Sequence, residues 1–485
     1  MVFTHANVVP KPNRSSFMIK TTLLCGVVLT AIPFLAPAKD FPLEFKTLNA
    51  EEVMAFPGGS GISVTLRLDN PGVITKAPPA ISKHPLYGEL SIRTNRLWFR
   101  IDESKGDGKG YDRLIVDLNQ NGDLTDDDAV ARVEQTDQTA AMNRPEIALF
   151  GPIPVPEGKM IGTWRPVYFA QMYLYTPPAD AVANRNTSYL GQLRFKAGWY
   201  LETTVDFDGV TRKVGIVDGN SNFRLGDFNQ PTTYQNGTET NWYFQGGDNF
   251  LVDNDGSGKF ENSIGSSESA PFGPMLYLGA KPYKAVLAAD SKSLALEPWT
   301  GPLAELALQP HGEQVSGIQV AWESAPGQWQ LLQPGVENGK AKVPPGNYRL
   351  YTCTLKVENA AGETLILSGY KRTPKDTTMA RADAATPFKC GAPLEVKVTS
   401  ARDTRNMGST ASESGSFLDW FFSRSAGSEP VLQQLIQASV LGAGGETYSS
   451  FFLQGKGNLR QPPKPTFTIN TADGKEVASG NMEFG

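Results

Sequence analysis

The sequence is short of the residues from which most enzyme active sites are built. Its 485 residues include three histidines, His5, His84 and His311, and three cysteines. It contains no H-E-x-x-H zinc motif, no G-x-S-x-G nucleophile elbow and no G-x-x-x-x-G-K-[ST] phosphate loop. The missing zinc motif excludes a zincin, and a Cys/His catalytic pair would have to come from very few residues.

Charged residues are also sparse, at 20% of the chain, and the formal net charge is −5. No basic cluster is present, which argues against a nucleic-acid partner. A glycosidase that works through two carboxylates leaves no linear spacing to recognise. Asp102 and Glu103, at the end of a predicted strand, are the best candidates for such an acid, although a solvated turn is the simpler interpretation. We therefore expect no hydrolytic activity.

Long apolar runs are absent except near the N-terminus, where Lys20 precedes an apolar stretch from Thr21 to Leu35. Ala36-Pro37-Ala38 then provides a small-residue cleavage site, so residues 1–38 are predicted to be an export signal. The stretch is short for a membrane-spanning helix, which is the alternative interpretation. We expect an exported chain that is periplasmic, secreted or at the cell surface, with no transmembrane segment after signal removal.

Glycine and proline are abundant, with 48 and 35 residues, which favours short strands and frequent turns over helices. A chain of this length is too long for a single core. We predict an all-β, multidomain protein. A β-rich region with calcium loops, long enough for two subdomains, is expected at 39–295, and an Ig-like or prealbumin-like β-sandwich region at 296–485. Within the latter, the Ser/Gly-rich segment 406–428 is predicted to be a mobile insertion.

Two cysteines lie outside the predicted export signal, Cys353 and Cys390. An even pair in an exported chain permits one disulfide between them. Two buried free thiols are the alternative, and the sequence does not distinguish them.

The clearest pattern is a predicted strand that runs directly into an aspartate-rich loop, and it occurs three times, at Asp117, Asp218 and Asp253. Oxygen side chains at loop positions 1, 3 and 5, a glycine at 6 and an apolar residue at 8 are typical of EF-hand or dockerin calcium loops. Such loops supply the six to eight oxygens that Ca²⁺ prefers. Ordinary Asp/Asn/Gly turns are the alternative, but the recurrence of one pattern favours calcium.

The three loops match this pattern to different degrees. The first is the most complete, with Gly122 at position 6, and its predicted ligands are Asp117, Asn119, Asn121, Asp123, Thr125 and Asp128. The third has Gly258 at position 6 but Ile264 at position 12, and its predicted ligands are Asp253, Asp255, Ser257, Lys259 and Glu261. The middle loop has Phe223 where glycine belongs, and its predicted ligands are Asp218, Asn220 and Asn222.

The segment from Gly110 to Asp128, GYDRLIVDLNQNGDLTDDD, resembles a family of uncharacterised exported bacterial β-proteins of planctomycete-like and verrucomicrobial-like genomes. In that family a strand precedes a dockerin-like calcium loop. The resemblance implies export and calcium loops, and it brings no activity with it. Both better loops lack the glutamate at position 12 of a full EF-hand, which argues against a regulatory role by helix opening.

Together these patterns predict an exported calcium-binding β-protein that is a non-catalytic binding or scaffold component of the cell envelope or surface. Its partner would be a protein or polysaccharide there. One alternative is a carbohydrate-active enzyme or carbohydrate-binding protein with structural calcium, in which Trp242, Tyr243 and Phe244 form a sugar platform in a polar loop at 229–247. The alternative interpretation is that those aromatic side chains pack the loop onto a sheet. The other alternative is a calcium-dependent, dockerin-like assembly module.

Overall fold

The computed structural model describes residues 38–482 except 59–60, 93–94, 107–109, 135–146, 156–162, 184–189, 208, 237–238, 261–267, 360, 375, 404–432, 456–458 and 472. The predicted export signal, apart from its last residue, and the predicted insertion at 406–428 lie outside the described residues. The predicted all-β, multidomain fold class is confirmed. The described α-helices are α1 (Ala50–Ala55) and α2 (Pro178–Ala183), and neither is long and apolar enough to cross a membrane.

The first nineteen strands, in chain order, are β1 (Lys39–Pro42), β2 (Glu44–Thr47), β3 (Ile62–Thr65), β4 (Leu86–Ile92), β5 (Asn95–Asp102), β6 (Arg113–Val116), β7 (Ala129–Ala131), β8 (Ile147–Pro154), β9 (Val167–Leu174), β10 (Gly191–Ala197), β11 (Trp199–Phe207), β12 (Val210–Val217), β13 (Gln230–Asn236), β14 (Glu239–Gln245), β15 (Asn249–Val252), β16 (Ser269–Pro271), β17 (Met275–Leu278), β18 (Lys281–Leu287) and β19 (Ser293–Pro298).

All of these strands except β13 and β14 form two sandwiches, each with a core of its own. In the first, the antiparallel sheets β3-β10-β9-β8 and β4-β5-β6-β7 share a core that contains Leu86, Phe99 and Phe195. In the second, β16-β15-β12-β11-β2 and β1-β19-β18-β17 share a core built around Trp199 and Phe250. The burial of β10 alternates residue by residue, as expected for a strand with one face toward a core.

The remaining strands are β20 (Ala304–Gln309), β21 (Val315–Ala325), β22 (Gln328–Leu332), β23 (Val336–Glu337), β24 (Lys340–Val343), β25 (Gly346–Glu358), β26 (Thr364–Tyr370), β27 (Thr378–Ala380), β28 (Ala385–Lys389), β29 (Glu395–Asp403), β30 (Gln433–Leu441), β31 (Thr447–Gln454), β32 (Leu459–Arg460), β33 (Thr466–Asn470) and β34 (Glu476–Asn481).

A third sandwich follows, between the sheet β23-β24-β20-β28 and a nine-stranded sheet ordered β22-β21-β25-β26-β31-β30-β29, with β27 beside β25 and β32 beside β31. Strand β17 connects its core to that of the second sandwich because β17 is buried on both faces. Leu276 and Leu278 belong to the second core, whereas Met275 and Tyr277 belong to the third. This is the period-two alternation of a strand between two apolar layers.

The segment predicted to be a polar loop at 229–247 is instead the hairpin β13–β14. Trp242 and Phe244 are buried against Ala321 and Leu331 of the nine-stranded sheet. The guanidinium carbon of Arg349 lies 4.1 Å from the ring centroid of Trp329 and 5.1 Å from that of Trp242. The prediction of a loop was wrong for two reasons. Polar residues flank the segment, and its apolar residues pack on a sheet whose strands are distant in the sequence.

Candidate calcium loops

All three aspartate-rich loops begin where a buried strand ends. The first joins β6 to β7, the middle one follows β12, and the third joins β15 to β16. Strands β12 and β15 pair antiparallel, with Val214 opposite Val252 and Val217 opposite Asn249. The middle and third loops therefore lie at opposite ends of one strand pair.

The three loops share one backbone conformation. Position 4 is left-handed in each, with φ of 61° at Gln120, 52° at Ser221 and 75° at Gly256. Position 6 is left-handed as well, with φ of 74° at Gly122, 65° at Phe223 and 78° at Gly258. Phe223 therefore adopts the conformation that favours glycine, at a cost of roughly 1–2 kcal/mol. The middle loop keeps the shape of the other two although its sequence departs from the pattern.

The aspartate at position 1 is buried in every loop and accepts the backbone N–H of position 6. This N–O distance is 3.0 Å from Gly122 to Asp117, 2.9 Å from Phe223 to Asp218 and 2.8 Å from Gly258 to Asp253. The exposed fractions of the three aspartates are 1%, 0% and 5%. Each loop therefore contains a buried, desolvated carboxylate. Burying such a charge is unfavourable unless another charge or hydrogen bonds compensate it.

In the first loop, Asn119 and Asn121 at positions 3 and 5 converge on Asp126 at position 10. Their side-chain nitrogens donate to Asp126 Oδ2 over 3.1 and 2.8 Å. Asp128, the predicted position-12 ligand, is exposed, so Asp126 is the carboxylate that faces the predicted ligands. Leu124 at position 8 is fully buried and packs the loop onto the protein, as the pattern predicts.

Further carboxylates concentrate negative charge around the first loop. Asp127 Oδ1 accepts the N–H of Leu118, whereas its Oδ2 is buried without a hydrogen-bond partner. Burial, with the charges of neighbouring aspartates, raises the pKa of Asp127 to about 6. Hydrogen bonds from Thr125, followed by Lys76, lower the pKa of Asp123 to about 2. Thr125 donates its backbone N–H and its hydroxyl to Asp123 Oδ1 over 3.0 and 2.5 Å, so these two predicted ligands are hydrogen-bonded to each other.

The middle loop repeats the position-10 contact of the first. Asn222 at position 5 donates to Asp227 at position 10 over 2.5 Å, as Asn121 does to Asp126. Asn220 at position 3 accepts the N–H of Asn222 over 3.0 Å. Both loops have an aspartate at position 10 in the sequence, which the EF-hand pattern does not use as a ligand position.

The buried carboxylate of Asp248, the residue immediately before β15, lies beside the middle loop. Because Val217 pairs with Asn249, the preceding residue, Asp248, lies beside Asp218. Asp248 Oδ2 accepts the N–H groups of Gly226 and Asp227 over 2.7 and 3.0 Å, and its Oδ1 accepts that of Gly219 over 3.3 Å. Burial raises the pKa of Asp218 to about 6 and that of Asp248 well above its ordinary value. The loop thus holds two desolvated carboxyl groups side by side.

In the third loop, Ser257 forms hydrogen bonds with both Asp255 and Lys259. The Ser257 hydroxyl lies 3.3 Å from the Lys259 carbonyl oxygen, and Asp255 Oδ1 accepts the N–H of Ser257 over 2.9 Å. The predicted ligand Glu261 lies outside the described residues. Glu268, which the sequence analysis did not select, contributes a carboxylate oxygen to a group with Asp253 and Asp255 in which the three oxygens lie within 4.8 Å of one another.

The acid suggested for a glycosidase is a structural residue in this fold. Asp102 is fully buried, and its oxygens accept the N–H groups of Ser82, Glu103 and Ile81 over 2.8, 2.9 and 3.2 Å. It also forms an ion pair with buried Arg100, whose Nη2 lies 3.3 Å from Asp102 Oδ2. With its oxygens engaged in this way, Asp102 anchors the chain before β4 to the end of β5.

The two cysteines considered for a disulfide share the third core. Cys353 lies on β25 and Cys390 follows β28, and both side chains are fully buried. Contact with the Cys353 thiol, together with burial, raises the pKa of the Cys390 thiol. The fold therefore brings the two side chains together in one core, and the disulfide stays a prediction.

The fold and loops define the class of this chain: an all-β, sandwich-type protein whose strand ends carry three loops of one backbone shape. Comparison with protein-family models, curated proteins and solved structures finds no match to it. The resemblance of segment 110–128 to exported bacterial β-proteins therefore stays a prediction.

Proposed function

We propose that this protein is an exported, calcium-stabilised β-protein that acts as a non-catalytic binding or scaffold component of the cell envelope or surface. The observation that carries the proposal is what the three loops share: a buried aspartate at position 1 that accepts the N–H of position 6, and left-handed backbone at positions 4 and 6. Calcium is the cation whose preference for many oxygens, at distances of about 2.3–2.6 Å, suits this arrangement.

A stabilising role is supported by the packing of each loop, because an apolar residue of each loop lies in or against a core of this chain. Leu124 of the first loop and Phe260 of the third are buried in cores of this chain. Phe223 of the middle loop packs against the cores of both the first and the second sandwich. A dockerin-like assembly module would instead present the apolar residues beside its loops to a second protein. The burial of these residues favours calcium as an internal brace.

Two of the three aromatic residues suggested as a sugar platform, and the suggested acid, are engaged in structural contacts, which supports a non-catalytic role. Trp242 is 3% exposed and Phe244 9%, so neither ring is available to stack on a sugar. Asp102 is engaged by three backbone N–H groups and Arg100. We accordingly expect no turnover on a panel of polysaccharides and esters assayed with Ca²⁺ present. Turnover that disappears when a carboxylate outside the loops is changed would contradict the non-catalytic proposal.

Isothermal titration of the purified protein with CaCl₂ tests the calcium proposal directly. Asp117→Ala removes the position-1 carboxylate of the first loop and should lower the number of bound calcium ions by one. Asp69→Ala is the matched control, because Asp69 is exposed and lies outside the loops. Equal stoichiometry in the parent and Asp117→Ala would show that the first loop does not bind calcium.

A further inference from the structure

The carboxylate of Glu268, the residue immediately before β16, lies beside the third loop. Oxygens of Asp253, Asp255 and Glu268 all lie within 4.8 Å of one another. Two oxygens on opposite sides of a calcium ion, each at about 2.4 Å, are separated by about 4.8 Å. The three carboxylates therefore fit on the surface of one calcium coordination sphere.

An unsatisfied oxygen within this group independently indicates a ligand. Asp253 is 95% buried, given its exposed fraction of 5%, and its Oδ2 accepts the N–H of Gly258. Its Oδ1 is buried and has no hydrogen-bond partner. A buried carboxylate oxygen without a partner loses its hydration and receives nothing in return, which is expensive. A cation bound between Asp253, Asp255 and Glu268 would compensate that loss.

We infer that Glu268 is a calcium ligand of the third loop and takes the place of the glutamate that position 12 lacks; this inference rests on the proposed function above. The loop itself offers Asp253, Asp255, the Ser257 hydroxyl and the Lys259 carbonyl. Glu268 raises the number of protein groups to five, or the number of oxygens to six if it binds through both of its own. Calcium accepts six to eight oxygens, and water completes the set.

The strand register explains why a residue so far along the chain reaches the loop. Strands β15 and β16 pair antiparallel with Leu251 opposite Ser269, so Glu268 is opposite Val252 and adjacent to Asp253. The backbone agrees, since the N–H of Val252 donates to the Glu268 carbonyl over 2.9 Å. Glu268 Oε1 also accepts the N–H of Asn254 over 3.3 Å. Calcium at this point would clamp β15 to β16, and the affinity of the loop would depend on the pairing of these strands.

The test is calcium titration of the full chain carrying Glu268→Gln, with Glu297→Gln as the matched control. Glu297 lies on β19 and pairs with Lys284 at the surface, away from the loops. Glu268→Gln should abolish one calcium site or weaken it by about tenfold or more, because charge count sets affinity in such loops. Glu268→Asp, which keeps the charge on a shorter side chain, should bind more tightly than Glu268→Gln. Glu297→Gln should bind calcium like the parent.

Thermal unfolding with calcium and with a calcium chelator distinguishes a calcium ligand from a residue that is only structural. Without calcium, Glu268→Gln should unfold at a temperature equal to or above that of the parent, because the change removes one of several like charges. With calcium, it should unfold at a lower temperature than the parent. Unchanged calcium binding by Glu268→Gln, or a loss of folding even in chelator, would overturn the role of Glu268 while leaving the proposed function intact. Absence of calcium binding by the parent would instead contradict the proposed function itself.

Discussion

Replacing Asp102 by asparagine should weaken the first sandwich severely without removing any catalytic activity. The change leaves the guanidinium of Arg100, which is 2% exposed, without its charged partner. It also places an amide where the carboxylate accepts three backbone N–H groups. Breaking a buried ion pair by removing one member costs about 3–5 kcal/mol. Because the N–H groups are also affected, we expect the cost to lie within that range and not below it.

Hydrogen–deuterium exchange is the suitable assay, because a multidomain chain does not unfold in a single step. Peptides that cover 86–116 should exchange about 10²- to 10⁴-fold faster in Asp102→Asn, the equivalent of about 3–5 kcal/mol. Peptides of the third sandwich should be unchanged. Asp69→Asn, an exposed aspartate-to-asparagine change, is the control. The double variant Arg100→Met/Asp102→Asn should recover part of the loss, because it removes the unpaired charge. Unaltered exchange in 86–116 would refute the structural role of Asp102.

Three further predictions concern the loops and the β13–β14 hairpin. Chelation of calcium should increase hydrogen–deuterium exchange in 113–131 and 249–260 but not in 304–389. The reason is that a ligand at 100-fold excess over its Kd stabilises the region that it binds by about 2.7 kcal/mol. An equal increase in exchange throughout the chain would contradict this prediction. Gly122→Ala should destabilise more than Gly258→Ala in thermal unfolding. Both residues have positive φ, which costs about 1–2 kcal/mol, but a Cβ at 122 would lie 2.5 Å from the Val73 carbonyl oxygen while that at 258 meets open space. Trp242→Ala should cost about 3–5 kcal/mol because the ring is buried, measured as faster hydrogen–deuterium exchange in 230–245, and a cost below about 1 kcal/mol would show that the hairpin does not dock in solution.

Local sequence patterns were sufficient to predict the all-β fold class and the positions of the three aspartate-rich loops. A strand that ends in aspartate, asparagine and glycine carries its turn chemistry within a few residues, so Asp117, Asp218 and Asp253 were identified without the fold. Asp248 and Glu268 were not, because each reaches its loop only through antiparallel pairing with a strand whose register depends on the whole sheet. Phe223 also differs from the calcium-loop pattern, which has glycine at position 6. Its backbone has the positive φ that glycine adopts freely, and its ring packs on Tyr168 with the ring centroids 4.7 Å apart.

The docked hairpin also has a consequence for biosynthesis. Phe244 donates its N–H to the hydroxyl of Tyr351, a residue 107 positions later in the chain. At about 5–20 residues per second, the apolar side of the hairpin would remain without its partner sheet for about 5–20 s after it is made. During that interval Trp242 and Phe244 would be uncovered while the strands from β15 to β25 are still being made, and this is the period in which a nascent chain of this protein would most need protection from aggregation.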